Sequence, residues 1–150
     1  MDKINLDILK QLQQNGRASA QQLTEYVGLS AAPIWRRIKA LEQDGVIQGY
    51  HARVDRSKVG LHSCMFTQVS LDRQSSDVVD HFIEAVQQAP EVVECHAVTG
   101  DADFLLKVVV AGPEAYDEFL HRFLADLQGV RQTRTIVGLR EIKNAVQLPL

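Results

Sequence analysis

The chain has 150 residues, 45% of them hydrophobic and 23% charged, with 16 Lys+Arg against 19 Asp+Glu and a net charge of -3. This is the composition of one large or two small globular domains and excludes a disordered or fibrous chain. The longest charge-free stretch, Val59 to Leu71, carries His62, Ser63, Thr67, Gln68 and Ser70, too short and too polar to span a bilayer.

Met1-Asp2-Lys3-Ile4-Asn5 lacks the basic start and apolar run of a signal peptide, and two isolated cysteines make no disulfide framework, so a cytoplasmic protein is expected. The spacing of Ile4, Leu6, Ile8, Leu9 and Leu12 predicts a short amphipathic helix stopped at Asn15-Gly16. Ser19 can N-cap a second helix with Leu23 and Val27 inward, ended at Gly28. Only Leu29 separates that glycine from Ser30, which can cap a third helix carrying Ile34, Ile38 and Leu41 on one face. Two helices joined by so tight a turn make a helix-turn-helix. Asp44-Gly45 ends the third helix, and Val46-Ile47 and Tyr50 to Val54 are expected as two strands around Gln48-Gly49, a small wing. The polar run Asp55-Arg56-Ser57-Lys58-Val59-Gly60 then marks a join. The expected division is a DNA-binding domain over 1–54, a linker over 55–62 and a second domain over 63–150.

In that second domain Ser63 to Leu71 is β-rich, and Asp77 to Gln88 has helical spacing at Val78, Val79, Phe82, Ile83 and Val86. Val92 to Val98 and Phe104 to Val110 are strands. Pro113 suits the first turn of a helix bearing Tyr116, Phe119, Leu120, Phe123, Leu124 and Leu127, and a last strand runs from about Arg131 to Leu139. The order βαββαβ gives an α+β protein with a ferredoxin-like second domain. Phe104 to Val110 is apolar toward both faces of the sheet, although both helices of this topology cover one face only. A second copy packed sheet to sheet is the economical cover, so an obligate dimer is expected.

The charge divides with the chain. Met1 to Gly60 holds nine of the cations and six of the acids, net +3, which leaves -6 for the remainder. With Ile34, Ile38 and Leu41 inward, Trp35, Arg36 and Lys39 lie away from the core and Arg37 lies at one edge, so the third helix presents a cationic face suited to a DNA major groove. The same face on its own reads as an ordinary solvated surface; the preceding helix, the tight turn, the wing and the local charge favour DNA. Arg17, Gln21, Gln22 and Arg53 are further candidate phosphate contacts, with Ser30 and Ala32 at the helix start. Thr99-Gly100-Asp101-Ala102-Asp103 can hold a small polar ligand such as an amino-acid ammonium group, although from the residues alone a plain hairpin turn is favoured. No metal site is expected: Cys95 and His96 are strand neighbours on opposite faces, Cys64 is on another strand, and His51, His62, His81 and His121 are scattered. No catalytic or nucleotide-binding motif is present, so neither an enzyme nor a cofactor is expected; an enzyme using Asp101, Asp103 and His96 is a remote alternative.

Taken along the whole chain, these residues resemble the Lrp/AsnC, or feast/famine, family of transcription regulators. The resemblance rests on Asp7-Ile8-Leu9, Leu12-Gln13, Asn15-Gly16-Arg17, Val27-Gly28-Leu29-Ser30, Arg37-Ile38-Lys39-Ala40-Leu41-Glu42 and Gly45-Val46-Ile47. In the second domain it rests on Glu94-Cys95-His96, on Thr99 to Lys107, and on Tyr116, Gly129-Val130 and Glu141-Ile142-Lys143. It implies an N-terminal winged helix-turn-helix and a C-terminal effector domain of the RAM type. It also implies binding to double-stranded DNA as dimers that often assemble to octamers, with an amino-acid effector lodged between dimers. By the same resemblance the effector turn is Thr99 to Asp103, with Asp103 the most specific contact and Pro113, Ile136, Val137 and Gly138 beside the pocket. The chain departs from the family at Ala102, where an aromatic is usual, and at Ala31 to Pro33, where relatives often begin Ser-Pro. The expected function is sequence-specific regulation under amino-acid control; the alternative is an architectural DNA binder without effector control.

Overall fold

The computed structural model describes residues 1–72, 76–125, 127–145 and 147–150. It divides into two compact units, Met1–Val54 with Ile142–Leu150, and Asp55–Glu141. The final nine residues, expected with the second domain, thus cluster with the first: Gln13 Nε2 donates to the Leu148 carbonyl (3.3 Å), and the Leu148 amide donates back to Gln13 Oε1 (2.5 Å).

The first unit is built on three helices, α1 (Lys3–Gln14), α2 (Ala20–Val27) and α3 (Ala31–Gln43). Each start follows local chemistry. Asp2 caps α1 by accepting from the Asn5 amide, and Ser19 and Gln22 form a reciprocal capping box at α2. Gly28 closes α2 at φ 69°, a left-handed conformation that lets the chain turn into α3 after two more residues. Ile8, Leu9, Leu12, Leu23, Ile34 and Leu41 fill the core between the helices, with Ile38 and Ile47 packed against it.

The segment after α3 differs from the expected two-stranded wing: among the described residues, 46–54 form no strand. The amides of Val46 and Ile47 both donate to the Leu41 carbonyl (2.9 and 3.0 Å), so α3 takes the donors a hairpin would need. Tyr50 is drawn back too, its hydroxyl donating to Glu42 Oε1 at 3.1 Å. A lone two-stranded ribbon is marginal in any case, and the wing here is a segment folded against its helix.

Asp55 caps a short 3-10 turn, Arg56–Val59, and the Arg56 guanidinium donates to the carbonyls of Leu61 and His62 (3.1 and 2.8 Å), so the expected linker is a structured bend. Beyond it run β1 (Ser63–Leu71), α4 (Ser76–Gln88), β2 (Val92–Ala97), β3 (Phe104–Val110), α5 (Pro113–Ala125) and β4 (Val130–Gly138). The sheet has the order β2-β3-β1-β4 with antiparallel neighbours, the ferredoxin-like arrangement. Met65, Val69, Leu71, Leu106, Val108 and Val110 face Phe82 of α4 and Tyr116, Phe119 and Phe123 of α5. Phe82 is 1% exposed and lies between Phe104, tilted at 4.7 Å, and Phe123, edge-on at 6.1 Å, a burial worth about 2 to 3 kcal/mol. Ile83, expected on the inner stripe of α4, is 40% exposed at its margin.

One polar link crosses this core. The Tyr116 hydroxyl lies 2.8 Å from Thr67 Oγ1 on β1 and 2.6 Å from Thr135 Oγ1 on β4, tying α5 to two strands. Thr67 is almost wholly buried, so removing its partner leaves a hydroxyl without a bond. Tyr116→Phe is expected to lower stability by about 1 to 2 kcal/mol, read as a shift in the urea midpoint at unchanged slope.

Candidate functional site

Helix α3 turns one face inward and one outward. Ile34 is fully buried and Leu41 nearly so, whereas Ala32, Trp35, Arg36 and Lys39, spaced as neighbours along the opposite stripe, are exposed. Ser30 has the extended backbone of an N-cap, but its hydroxyl makes no capping bond.

The structure separates the candidate DNA contacts into engaged and free groups. Arg37 is engaged: Nη1 donates to Asp2 Oδ2 at 2.7 Å and to Asn5 Oδ1 at 2.8 Å, pinning α3 to the start of α1. The Asn5 amide and then the Arg37 guanidinium hold the Asp2 carboxyl below its ordinary pKa of 3.8. Lys39 Nζ donates to Glu42 Oε2 at 2.7 Å and keeps that carboxyl low, while burial and then Glu42 raise the Tyr50 phenol. Gln22 Oε1 is occupied by the capping box, and Gln21 beside it is exposed. Arg17, Arg36 and Arg53 are exposed and make no ion pair among the described residues. Of the cations proposed for DNA, Arg36 alone combines a place on the outward stripe of α3 with a free guanidinium.

The turn between β2 and β3 is clamped to the end of β1. The Val98 amide donates to the Asp103 carbonyl, the Asp103 amide to the Val69 carbonyl (2.9 Å each), and Ser70 Oγ to the Asp101 carbonyl (3.2 Å). Asp103 Oδ2 accepts from the Leu71 amide at 2.8 Å, so this carboxylate holds the turn. Ala102 is buried, and Thr99, Gly100 and Asp101 are the exposed members. The remaining candidates lie elsewhere. Gly138 pairs with Cys64, which pairs with Val109, and Ile136 pairs with Phe66; Pro113 opens α5 just past Val110. The turn precedes Phe104 at the other end of β3, roughly 20 Å away for seven extended residues. Within one chain, Pro113, Ile136, Val137 and Gly138 thus lie at the end of the sheet away from the turn; the expected pocket is one between dimers. Gly138 has a local reason to be glycine: a Cβ there would lie 2.9 Å from the Cys64 carbonyl oxygen.

Comparison with known proteins accounts for both units. Residues 1–48 match the family described as winged helix-turn-helix DNA-binding, and residues 64–148 match the Lrp/AsnC ligand binding domain. The chain belongs to the Lrp/AsnC family. It is 40% identical to the leucine-responsive regulatory protein of Escherichia coli K12 over 148 residues, 99% of this chain and 90% of that one. Among solved structures, an AsnC family transcriptional regulator from Agrobacterium tumefaciens superposes with a TM-score of 0.95 at 36% identity, covering 99% of this chain and 97% of that chain. A transcriptional regulator from Neisseria meningitidis, solved as a complex with L-Met, gives 0.93 at 35% identity, covering 99% and 96%. This Lrp/AsnC chain is thus a transcriptional regulator with a DNA-binding and a ligand-binding domain, in a family of regulators rather than enzymes.

Other features of the Lrp/AsnC chain lie apart from these sites. Among the described residues no helix is long and apolar enough to cross a membrane, and no cluster of three metal-ligating side chains occurs. Cys64 and Cys95 are free and half-buried, and burial pushes the Cys95 thiol up. An open hollow of about 750 Å³ between α4 and α5, crossed by the Arg122–Glu91 ion pair, holds none of the candidate residues.

Sequence reasoning missed the partners of Arg37, Lys39 and Asp103. Asp2 and Asn5 reach a residue 32 or more positions away, which no local pattern signals. Asp2→Asn and Arg37→Ala are each expected to lower the melting temperature of the DNA-free protein, while Arg36→Ala leaves it unchanged. Because the folded carboxyl is depressed, the Asp2 contribution is present above the unfolded pKa and is lost as the pH falls through the folded one, so the Asp2→Asn gap should begin to narrow near the ordinary value of 3.8 and close once the folded carboxyl is protonated.

Proposed function

We propose that the chain is a sequence-specific regulator whose α3 enters the major groove of double-stranded DNA, and whose operator affinity or assembly is tuned by a small amino acid bound between copies. The observation that carries the first half is the outward stripe of α3 with the unpaired Arg36 at its middle. On this reading Arg36 reads a base edge, Arg17 and Arg53 neutralise phosphates, and Arg37 positions the helix. The Neisseria relative bound to L-Met supports the second half, as does the placement of the candidate residues at opposite ends of one sheet. Thr99, Gly100 and Asp101 of one copy, with Asp103 holding their turn, would meet Ile136 to Gly138 of another.

The free face of the sheet supports dimers as the unit of assembly. Phe66, Leu105, Val109 and Cys64 are half-buried there and Ile136 is 47% exposed, apolar side chains set around the Lys107–Glu94 ion pair, with Lys107 opposite Phe66. A second copy laid on it removes that patch from water, and dimers can then associate further, up to an octamer.

Duplexes selected from a random pool supply the operator. Arg36→Ala should weaken binding to the selected duplex by about 1 to 3 kcal/mol and flatten the preference at one base position. Equal binding of selected and random duplexes by the wild type, with a steep salt dependence, would instead favour the architectural reading. For the effector, a panel of amino acids should include at least one that raises the melting temperature and alters the sedimenting species. Asp101→Asn should abolish that response at nearly unchanged stability, whereas Asp103→Ala should reduce both. No response to any amino acid would end the effector reading.

A further inference from the structure

We infer that Trp35 reads a thymine through its 5-methyl group, so that an indole rather than a cation selects one A·T pair of the operator. The inference rests on α3 being the helix in the major groove. Trp35 is the chain's one tryptophan, and it is 56% exposed on the stripe that carries Ala32, Arg36 and Lys39. The same stripe offers few other readers. Ala32 presents a single methyl group, Lys39 is bonded to Glu42, and Arg37 is turned back onto Asp2 and Asn5. That leaves Arg36 and Trp35 as the long side chains free to reach a base edge. The two see different features. A guanidinium donates hydrogen bonds and finds guanine acceptors or phosphate, whereas an indole has one N–H donor and is otherwise apolar. The apolar feature of a major-groove edge is the thymine methyl. Covering it removes methyl and ring surface from water together, and the gain is confined to duplexes with thymine at that place.

Deoxyuridine lacks this methyl and keeps the base-pairing edge of thymine, so replacing each thymine of the selected duplex in turn isolates the contact. In the wild type, one substitution per half-site should weaken binding by about fourfold, the effect of one buried methyl group. Trp35→Ala should bind the parent duplex more weakly, yet bind parent and deoxyuridine duplexes alike, and Trp35→Phe should retain part of the penalty. The emission of Trp35 should change on adding the parent duplex, and less with the sensitive deoxyuridine duplex.

If the wild type prefers its selected sequence but binds every deoxyuridine duplex as tightly as the parent, or if Trp35→Ala keeps the penalty, the assignment to Trp35 is wrong and the regulator reading stands. If the wild type shows no sequence preference, both readings fall. Should Trp35→Ala lose its helical circular dichroism, the wild-type series and Trp35→Phe decide the question.

Discussion

The outward face of α3 is a consequence of what its inner face must do. Ile34 and Leu41 belong to a core of six buried residues, and each such side chain returns roughly 1.5 to 3 kcal/mol only while it stays out of water. Rotating the helix by one residue would expose Ile34 and drive Trp35 or an arginine inward, which such a small core has no room or partner for. The ion pairs on either side, Arg37 with Asp2 and Lys39 with Glu42, are largely exposed and add little energy. Their effect is directional: they withdraw two of the four basic or aromatic groups following Ile34 and leave Trp35 and Arg36 presented.

The second unit obeys a different constraint, the two-sidedness of a sheet. Its helical face is filled by Phe82, Phe104, Phe119 and Phe123 and crossed by the Tyr116 hydroxyl. Its other face carries Phe66, Leu105 and Val109 with no element of the same unit over them, and also a cross-strand pair in which Glu94 raises the Lys107 pKa and is itself lowered by it. Apolar surface with one satisfied ion pair within it suits an interface better than open solvent. The candidate ligand residues make the same demand independently, since they sit at opposite ends of β3. On the proposed reading, additional copies of the chain would meet both demands.

Much of this was legible in the sequence, and the exceptions share a cause. Helix starts and stops, the strand order and the core positions follow from spacing and capping residues: Ser19 with Gln22, Gly28, Pro113 and the alternation along β1 each act within a few residues. What was not legible involves partners distant in the chain. Arg37 reads as a surface cation until α1 brings Asp2 alongside, and Asp103 reads as a free carboxylate until β1 supplies the Leu71 amide. The two wing strands are absent for a related reason, because the Leu41 carbonyl competes for the amides that strand propensity assigns to a hairpin. The pocket that the resemblance implies lies between dimers, so the fold of one chain places its residues at opposite ends of the sheet without assembling them.

These constraints narrow how a ligand could act on DNA binding. A ligand shifts an equilibrium only by its differential affinity for the two states. The outward face of helix α3 follows from the burial of Ile34 and Leu41 in its own core. Within the second unit, Asp55 caps the turn that opens it and Arg56 bonds to the carbonyls of Leu61 and His62. On the proposed reading, the variable left to a bound amino acid is the association of copies. Two recognition helices reach one face of a duplex only when their spacing matches a helical turn, about 34 Å, or a multiple of it. A ligand lodged between copies would favour the assemblies that contain its site, and with them particular spacings. Control would then alter which sets of half-sites can be occupied together and leave the base preference of each α3 unchanged.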